Sequence, residues 1–162
     1  MGNRISVDSA TMVNKALEVI EAHHLFGIGY DDIDVVVHPQ SIVHSMLELE
    51  DRSIVAHMGI TDMKVPIQLA LTHPERSDPP VPEFSLVGKT LTFEAPDRSN
   101  FPALDLGYLA GRSGGGASAA YNAADEVAVE AFLQGRIGFT TIVSVIERVV
   151  TATQDIVQAS RR

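Results

Sequence analysis

Residues 6–26 read SVDSATMVNKALEVIEAHHLF, and the way this window folds decides what the rest of the chain is built around. From Met12 onward, Val13, Ala16, Leu17, Ile20 and His24 recur at three- and four-residue intervals, the spacing of one buried stripe on a helix. No Gly or Pro interrupts the pattern before Gly27, and Asp8, Ser9 and Thr11 stand ahead of it as candidate N-caps. At about 100° per residue, Asn14, Lys15, Glu18 and Glu21 fall together on the side away from the stripe. One face therefore packs while the other is open to a ligand. The start of such a helix favours an anion, because its first N–H groups have no helical partner and carry the positive end of the dipole. Ser9, Asn14 and Lys15 add donors for a phosphate there, and Glu18, one turn further on, offers hard oxygens to a divalent cation. A capped surface helix with a solvated Glu/Lys face explains the same residues without chemistry, and spacing alone leaves both readings open.

Downstream of that helix, Asp34-Val35-Val36-Val37 is short and β-branched and predicts a buried strand ended by Pro39. Gln40 to Glu48 and Ser53 to Met58, on either side of an Asp51-Arg52 turn, predict an antiparallel hairpin. Its register puts His44, Met46 and His57 on one face. His38, His44 and His57 lack the i, i+4 spacing of a helical zinc pair, so we read them as histidines hydrogen-bonded within a sheet. Asp62 caps a helix over Met63 to Leu71, with Pro66 tolerated in its first turn. Pro74, Pro79, Pro80 and Pro82 exclude regular structure between His73 and Pro82 and mark the best internal boundary. Leu91 to Phe93 predicts a short strand.

Beyond Pro102 the pattern is helical. A first helix carries Leu104, Leu106, Tyr108 and Leu109 to near Gly111, and the run Ser113-Gly114-Gly115-Gly116 is an interhelical turn. Asn122 opens a second helix with Asp125 at the capping-box position, and Gly135 stops it. A third runs from Thr140 or Thr141 through Ile142, Val145, Ile146 and Val149. Asp125, Glu126 and Glu130 read as a charge-compensated first turn and a solvated helix face. The fold class expected is α+β, a helix-and-sheet segment joined by a Pro-rich connector to a small helical bundle. Its boundaries are 1–73, 74–101 and 102–162.

Composition narrows the function classes. With 162 residues and 45% hydrophobic content the chain can bury one core or two small ones. Its apolar runs fall well short of the roughly 18 residues that span a bilayer, and no signal segment opens it, so a cytosolic protein without a membrane partner is expected. The absence of cysteine rules out disulfides and thiolate metal sites, leaving carboxylates, imidazoles and oxygen donors for any metal. A net charge of -9 argues against nucleic acid as a partner. An anionic substrate must then be met by local donors.

Five stretches, taken in order, sharpen the reading. The window 6–26, DVVVHPQSIVHSM (34–46), DMKVPIQLAL (62–71), FPALDLGYLAG (101–111) and YNAADEVAVEAFLQGRIGF (121–139) together resemble the 1-deoxy-D-xylulose 5-phosphate reductoisomerase family, from about Asn3 to about Val150. The sequence departs from the family's usual residues at Ala16, where Gly is usual, and at Asp125, where Asn is usual. The resemblance implies an NADPH- and divalent-metal-dependent homodimer of the bacterial cytoplasm, using Mg²⁺ or Mn²⁺ in non-mevalonate isoprenoid synthesis.

Carried over residue by residue, Glu18 is implied as metal ligand and catalytic group. Ser9 and Asn14 are implied as phosphate donors, and Lys15 as a catalytic residue that binds phosphate or substrate oxygen. Glu21 is implied in a supporting role, Met63 beside the nicotinamide, and His38 or His44 behind the active site. The family's dinucleotide motif G-x-G-x-x-G, its Asp-x-Glu metal ligands and its closing loop are not found in this sequence. We therefore expect a C-terminal portion of the enzyme, with Met1-Gly2 a start imposed on it. The alternative expectation is a catalytically inactive structural and dimerisation segment.

Overall fold

The structure, a computed structural model, describes residues 2–159, with side chains up to residue 156. Met1, and with it the expectation of an imposed start, lies outside the described residues. The fold is α+β. Its two compact units are the residues before Val36 joined by those from Pro96 onward, and Val36–Ala95.

The first unit is helical: α1 (Asn3–Ala10), α2 (Val13–Phe26), a 3-10 turn at Tyr30–Asp32, then, after the second unit, α3 being part of that unit, α4 (Ala103–Ser113), α5 (Ala117–Leu133) and α6 (Phe139–Ala159). Its core is one cluster in which Val13, Leu104, Tyr121, Ile142, Ile146 and Val150 are wholly buried. The i, i+4, i+8 spacing of Ile142, Ile146 and Val150 makes the buried stripe of α6. Small residues let the helices approach closely. A Cβ added to Gly107 of α4 would lie 2.5 Å from the Ala16 Cβ of α2, so the two helices meet almost backbone to backbone there. Asp105 in the first turn of α4 and Arg112 in its last complement the helix dipole. Gly27, at φ 68°, ends α2 by donating its N–H to His23 O at 2.9 Å.

Several expectations about this unit are corrected. Asp8 and Ser9, expected to stand ahead of the first helix as caps, belong to a helix of their own, α1. The two helices are separated at Met12, whose φ of 64° is left-handed, so the i→i−4 ladder breaks and the chain turns an elbow. None of Asp8, Ser9 and Thr11 is the N-cap of α2; that position is Met12 and has no side-chain cap. Thr11 is instead buried, with its hydroxyl 3.0 Å from Val7 O and 3.4 Å from Val13 N. The buried stripe uses Val19 rather than His24, which is exposed. The helix expected to open at Asn122 begins at Ala117, and Asp125 lies within it as a fully buried side chain rather than on a solvated face. Glu126 and Glu130 are exposed as expected.

The second unit, Val36–Ala95, holds β1 (Val43–Glu48), β2 (Ile54–Met58) and α3 (Lys64–Thr72). The strands pair antiparallel from Val43 opposite Met58 to Glu48 opposite Ile54, with an irregularity between Val43 and Ser45. This is the expected hairpin. The helix expected over Met63 to Leu71 runs from Lys64 to Thr72, and its N-cap is Met63 without a side-chain cap; Asp62, one residue earlier, accepts the Lys64 N–H on Oδ1 at 2.9 Å. No helix or strand occupies residues 73–82. The strand expected over 34–37 is absent: Val37 makes a single antiparallel bridge to Glu94, with N–O distances of 2.8 and 2.9 Å. The 91–93 strand reduces to that same bridge, since neither segment has a second neighbour to extend a ladder.

The boundaries expected at 73/74 and 101/102 do not follow the packing. α1 and α2 bury their apolar faces against α5 and α4. The stripe of α2 packs chiefly on α4, beyond Pro102.

Candidate functional site at the α1–α2 elbow

The elbow brings together part of the residue set expected from the sequence. Asn14 Nδ2 donates to Glu18 Oε1 at 2.6 Å, and Lys15 Nζ is in direct contact with Glu18 Oε2. These are the i+4 and i+3 pairings that one helical turn supplies. The side chains of Lys15 and Glu18 are about half exposed, at 42% and 46%. The cluster is therefore reachable by a ligand, and its carboxylate is already satisfied on both oxygens by the helix itself. Glu21 is exposed one turn on and is not drawn into the cluster. Ser9 Oγ is turned back onto Ile5 O at 2.7 Å within α1. Its hydroxyl is exposed and would need only a rotation about χ1 to face another acceptor.

The donor chemistry suits a hard divalent cation through Glu18 alone. Among the described residues no three Asp, Glu or His side chains gather at metal-binding distance. A cation here would take one carboxylate from this chain and complete its shell elsewhere, and it would have to displace the Lys15 ammonium from Glu18.

In the second unit, Met63 precedes α3 and is 69% exposed, an apolar side chain with no core of its own. His38 Nδ1 lies 2.8 Å from Thr92 O, its ring stacks on Phe93 with centroids 4.7 Å apart, and Gln40 bonds Thr92 through both amide atoms. The His38–Gln40 segment is thus pinned by residues 92–94, a partnership that sequence spacing did not reveal. His44 and His57 face each other with ring centroids 5.5 Å apart, and His44 Nε2 is 3.5 Å from Thr61 Oγ1. They are held by the hairpin, not gathered with an acid.

Sequence reasoning also missed Arg4. Its guanidinium lies 3.5 Å from Asp8, 3.5 Å from Asp125 and 3.4 Å from Glu126, tying α1 to α5. The only hint in the sequence is the i, i+4 spacing of Arg4 and Asp8.

Comparison with known proteins decides the family. A family model described as "DXP reductoisomerase C-terminal domain" matches residues 58–161, and one described as "1-deoxy-D-xylulose 5-phosphate reductoisomerase C-terminal domain" matches residues 1–26. The chain belongs to the DXP reductoisomerase family. The reductoisomerase of Desulforamulus reducens is 55% identical over 155 residues, covering 95% of this chain and 40% of that protein. A Bacillus cereus reductoisomerase is 56% identical over 151 residues, covering 91% of this chain and again 40% of the relative. Among solved structures, a DOX-P reductoisomerase in complex with NADPH, fosmidomycin and magnesium superposes with a TM-score of 0.89 at 47% identity, covering 93% of this chain and 37% of that one. The Zymomonas mobilis reductoisomerase in complex with NADPH gives a TM-score of 0.87 at 45% identity, covering 92% and 40%. The chain thus spans about 40% of the length of the reductoisomerases it matches.

Proposed function

We propose that this chain supplies the phosphate- and metal-facing helix of an enzyme that converts 1-deoxy-D-xylulose 5-phosphate to 2-C-methyl-D-erythritol 4-phosphate with NADPH and Mg²⁺ or Mn²⁺. The observation that carries the reading is the joined Asn14–Lys15–Glu18 cluster on the open face of α2, in a chain of this family. Relatives with this fold bind NADPH, fosmidomycin and magnesium.

In this reading Glu18 holds the cation with one carboxylate, which frees Lys15 to reach a phosphate or substrate oxygen. Asn14 and Ser9 donate to the phosphate at the N-terminal end of α2, where the helix dipole adds to their effect. A bound divalent cation supplies Lewis-acid polarisation of the substrate's carbonyl during carbon–carbon bond rearrangement. Lys15 balances the anionic charge brought in by substrate and carboxylate together. The described residues offer no strand leading through a Gly-rich turn into a helix, so they do not fit a dinucleotide. Met63 supplies at most an apolar surface beside the nicotinamide, with His38, His44 and Glu21 in supporting roles. The setting is a cytoplasmic homodimer, and among the described residues no helix is long and apolar enough to cross a membrane.

The test is Glu18→Gln in a full-length enzyme carrying this segment. The change preserves size and helix propensity but removes the charge that a hard cation requires. We expect kcat/KM to fall at least ~100-fold, about 2.7 kcal/mol of transition-state stabilisation, with partial recovery at high Mn²⁺. Superimposable curves of activity against metal concentration would remove Glu18 from the site.

A second reading is favoured by the apolar surface of the hairpin, where Leu47, Ile54 and Val55 are more than half exposed. On this reading the chain by itself is a structural and dimerisation segment that turns nothing over. With one metal carboxylate and no dinucleotide cradle among the described residues, it is expected to show neither saturable NADPH binding by calorimetry nor loss of nicotinamide absorbance with substrate and Mn²⁺. Micromolar NADPH binding would reject that expectation.

A further inference from the structure

We propose that Asp8 of α1 and Asp125 of α5 hold a single proton between them, and that this shared proton, with Arg4, is a pH-sensitive latch that fixes the α1–α2 elbow. The two carboxyls are brought together on one guanidinium, Arg4 lying 3.5 Å from each in the contact between α1 and α5. Asp8 is 7% exposed and Asp125 fully buried. Three of their four oxygens, Asp8 Oδ1 and both oxygens of Asp125, are buried without a hydrogen-bond donor. As two carboxylates they have only acceptors to offer each other. A proton on one makes it a donor to the other and answers the unmet acceptors, which buried polar groups otherwise leave unpaired at substantial cost.

Arg4 answers the pair only in part. Arg4 faces Asp8, Asp125 and Glu126 at 3.4–3.5 Å, so one half-exposed guanidinium is divided among three acids. Tyr121, wholly buried beside the pair, gives its hydroxyl proton to Ala103 O at 3.0 Å. The charged and titratable groups acting on the pair are therefore Arg4 from α1 and Tyr121 and Glu126 from α5. Among the described residues none from α2, α4 or α6 acts on either carboxyl.

Burial pushes both acids up, and for Asp125 burial together with the neighbouring Asp8 charge raises it to about 6. The sign follows from linkage. An acid that holds its proton more tightly folded than unfolded contributes stability that is complete below the ordinary carboxylate pKa and is lost as pH rises through the folded value. The latch is closed in mild acid and opens towards neutrality. Asp8 is followed at once by Ser9, then by Thr11 bonded back to Val7, then by the left-handed Met12, so opening reaches the start of α2 through four residues. What this does to ligand binding rests on the proposed function; the shared proton does not.

The test uses this chain without ligand. Carboxyl carbons of Asp8 and Asp125 are followed by NMR between pH 4 and 8, with backbone amides of Ser9–Asn14 and thermal unfolding measured in parallel, for the wild type, Asp125→Asn and Asp31→Asn. The amide introduced by Asp125→Asn is isosteric with the carboxyl and a permanent donor. We expect one carboxyl to titrate near pH 6, the elbow amides to shift with the same midpoint, and the wild-type Tm to fall between pH 5 and 7.5. Asp125→Asn should flatten that slope and melt at least about 3 °C above wild type at pH 7.5. Asp31→Asn, at a surface ion pair, should keep the wild-type slope. Both acids titrating below pH 4.5, an unchanged slope in Asp125→Asn, a lower Tm for that variant at every pH, or elbow amides indifferent to the titration would each overturn the latch.

Discussion

The helical unit and Val36–Ala95 spend their apolar residues in opposite ways. In the helical unit Val13, Leu104, Tyr121, Ile142 and Ile146 meet in a core that excludes water entirely. In Val36–Ala95 the single buried side chain among the described residues is Ile42, while Leu47, Ile54, Val55, Leu71 and Val87 stand more than half exposed. A hairpin with both faces wet and a helix with no buried residue cannot draw much stability from their own contacts. The difference separates a self-supporting scaffold from a surface fitted to be covered, which is the physical basis for proposing self-association through the Val35–Met58 region.

Core truncation should break the comparison most visibly. Leu104→Ala removes a wholly buried side chain and is expected to cost about 2–5 kcal/mol in denaturant unfolding. Leu71→Ala, at a side chain 83% exposed, should stay within about 0.5 kcal/mol. Equal losses would mean that the second unit has a core after all.

Next in size, Gly107→Ala forces a methyl into Ala16 and should cost about 1–3 kcal/mol. Ala16→Gly in the same chain should recover part of that, so the double-mutant cycle is the measurement, and strict additivity would deny the close approach of α2 and α4.

Much of this was legible in the sequence. The stripe Val13, Ala16 and Ile20, the hairpin with its Asp51-Arg52 turn and the three C-terminal helices follow directly from periodicities of 3.6 and 2. So does the Asn14–Lys15–Glu18 cluster, which is local to one helical turn. What escaped has a common physical cause, dependence on a partner distant in sequence. α1 gives the core only Val7 and is held besides through Asp8 and Arg4 against α5. The opening of α5 reads as a continuation of a glycine turn, yet Ala117 and Tyr121 are core residues because α4 and α6 are there to cover them. Asp34-Val35-Val36-Val37 has the composition of a strand but only one bridge to Glu94.

A smaller effect sharpens the contrast in association. Leu47→Lys and Ile54→Lys, on the two strands near the turn end of the hairpin, should lower the mass measured by light scattering at high concentration while leaving the melting of the helical unit unchanged. A wild-type chain that is strictly monomeric would count against the proposed interface. The smallest effect is one the two units share. Asp97 is held down to about 2 by hydrogen bonds from Ser99 and Asn100, and Asp51 is lowered by Ser53 in the same manner. Each therefore adds stability present above the ordinary carboxylate pKa and lost as pH falls through the folded value, opposite in sign to Asp125. Carboxyl NMR titration finding Asp97 at an ordinary value would show that turn to be open.

The Val37–Glu94 bridge has a further meaning in terms of chain entropy. Because these two residues are hydrogen-bonded, the segment between them leaves and returns at one point, and α2 must find α4 across an excursion of about 60 residues. Closing so long a loop rather than one of about four residues costs roughly 2 kcal/mol, and it is incurred before the core gives anything back. The helical unit thus assembles late in the search despite being made of fast-forming local elements, and a chain in which a tight turn replaced residues 38–93 would fold its helices sooner and hold them more firmly.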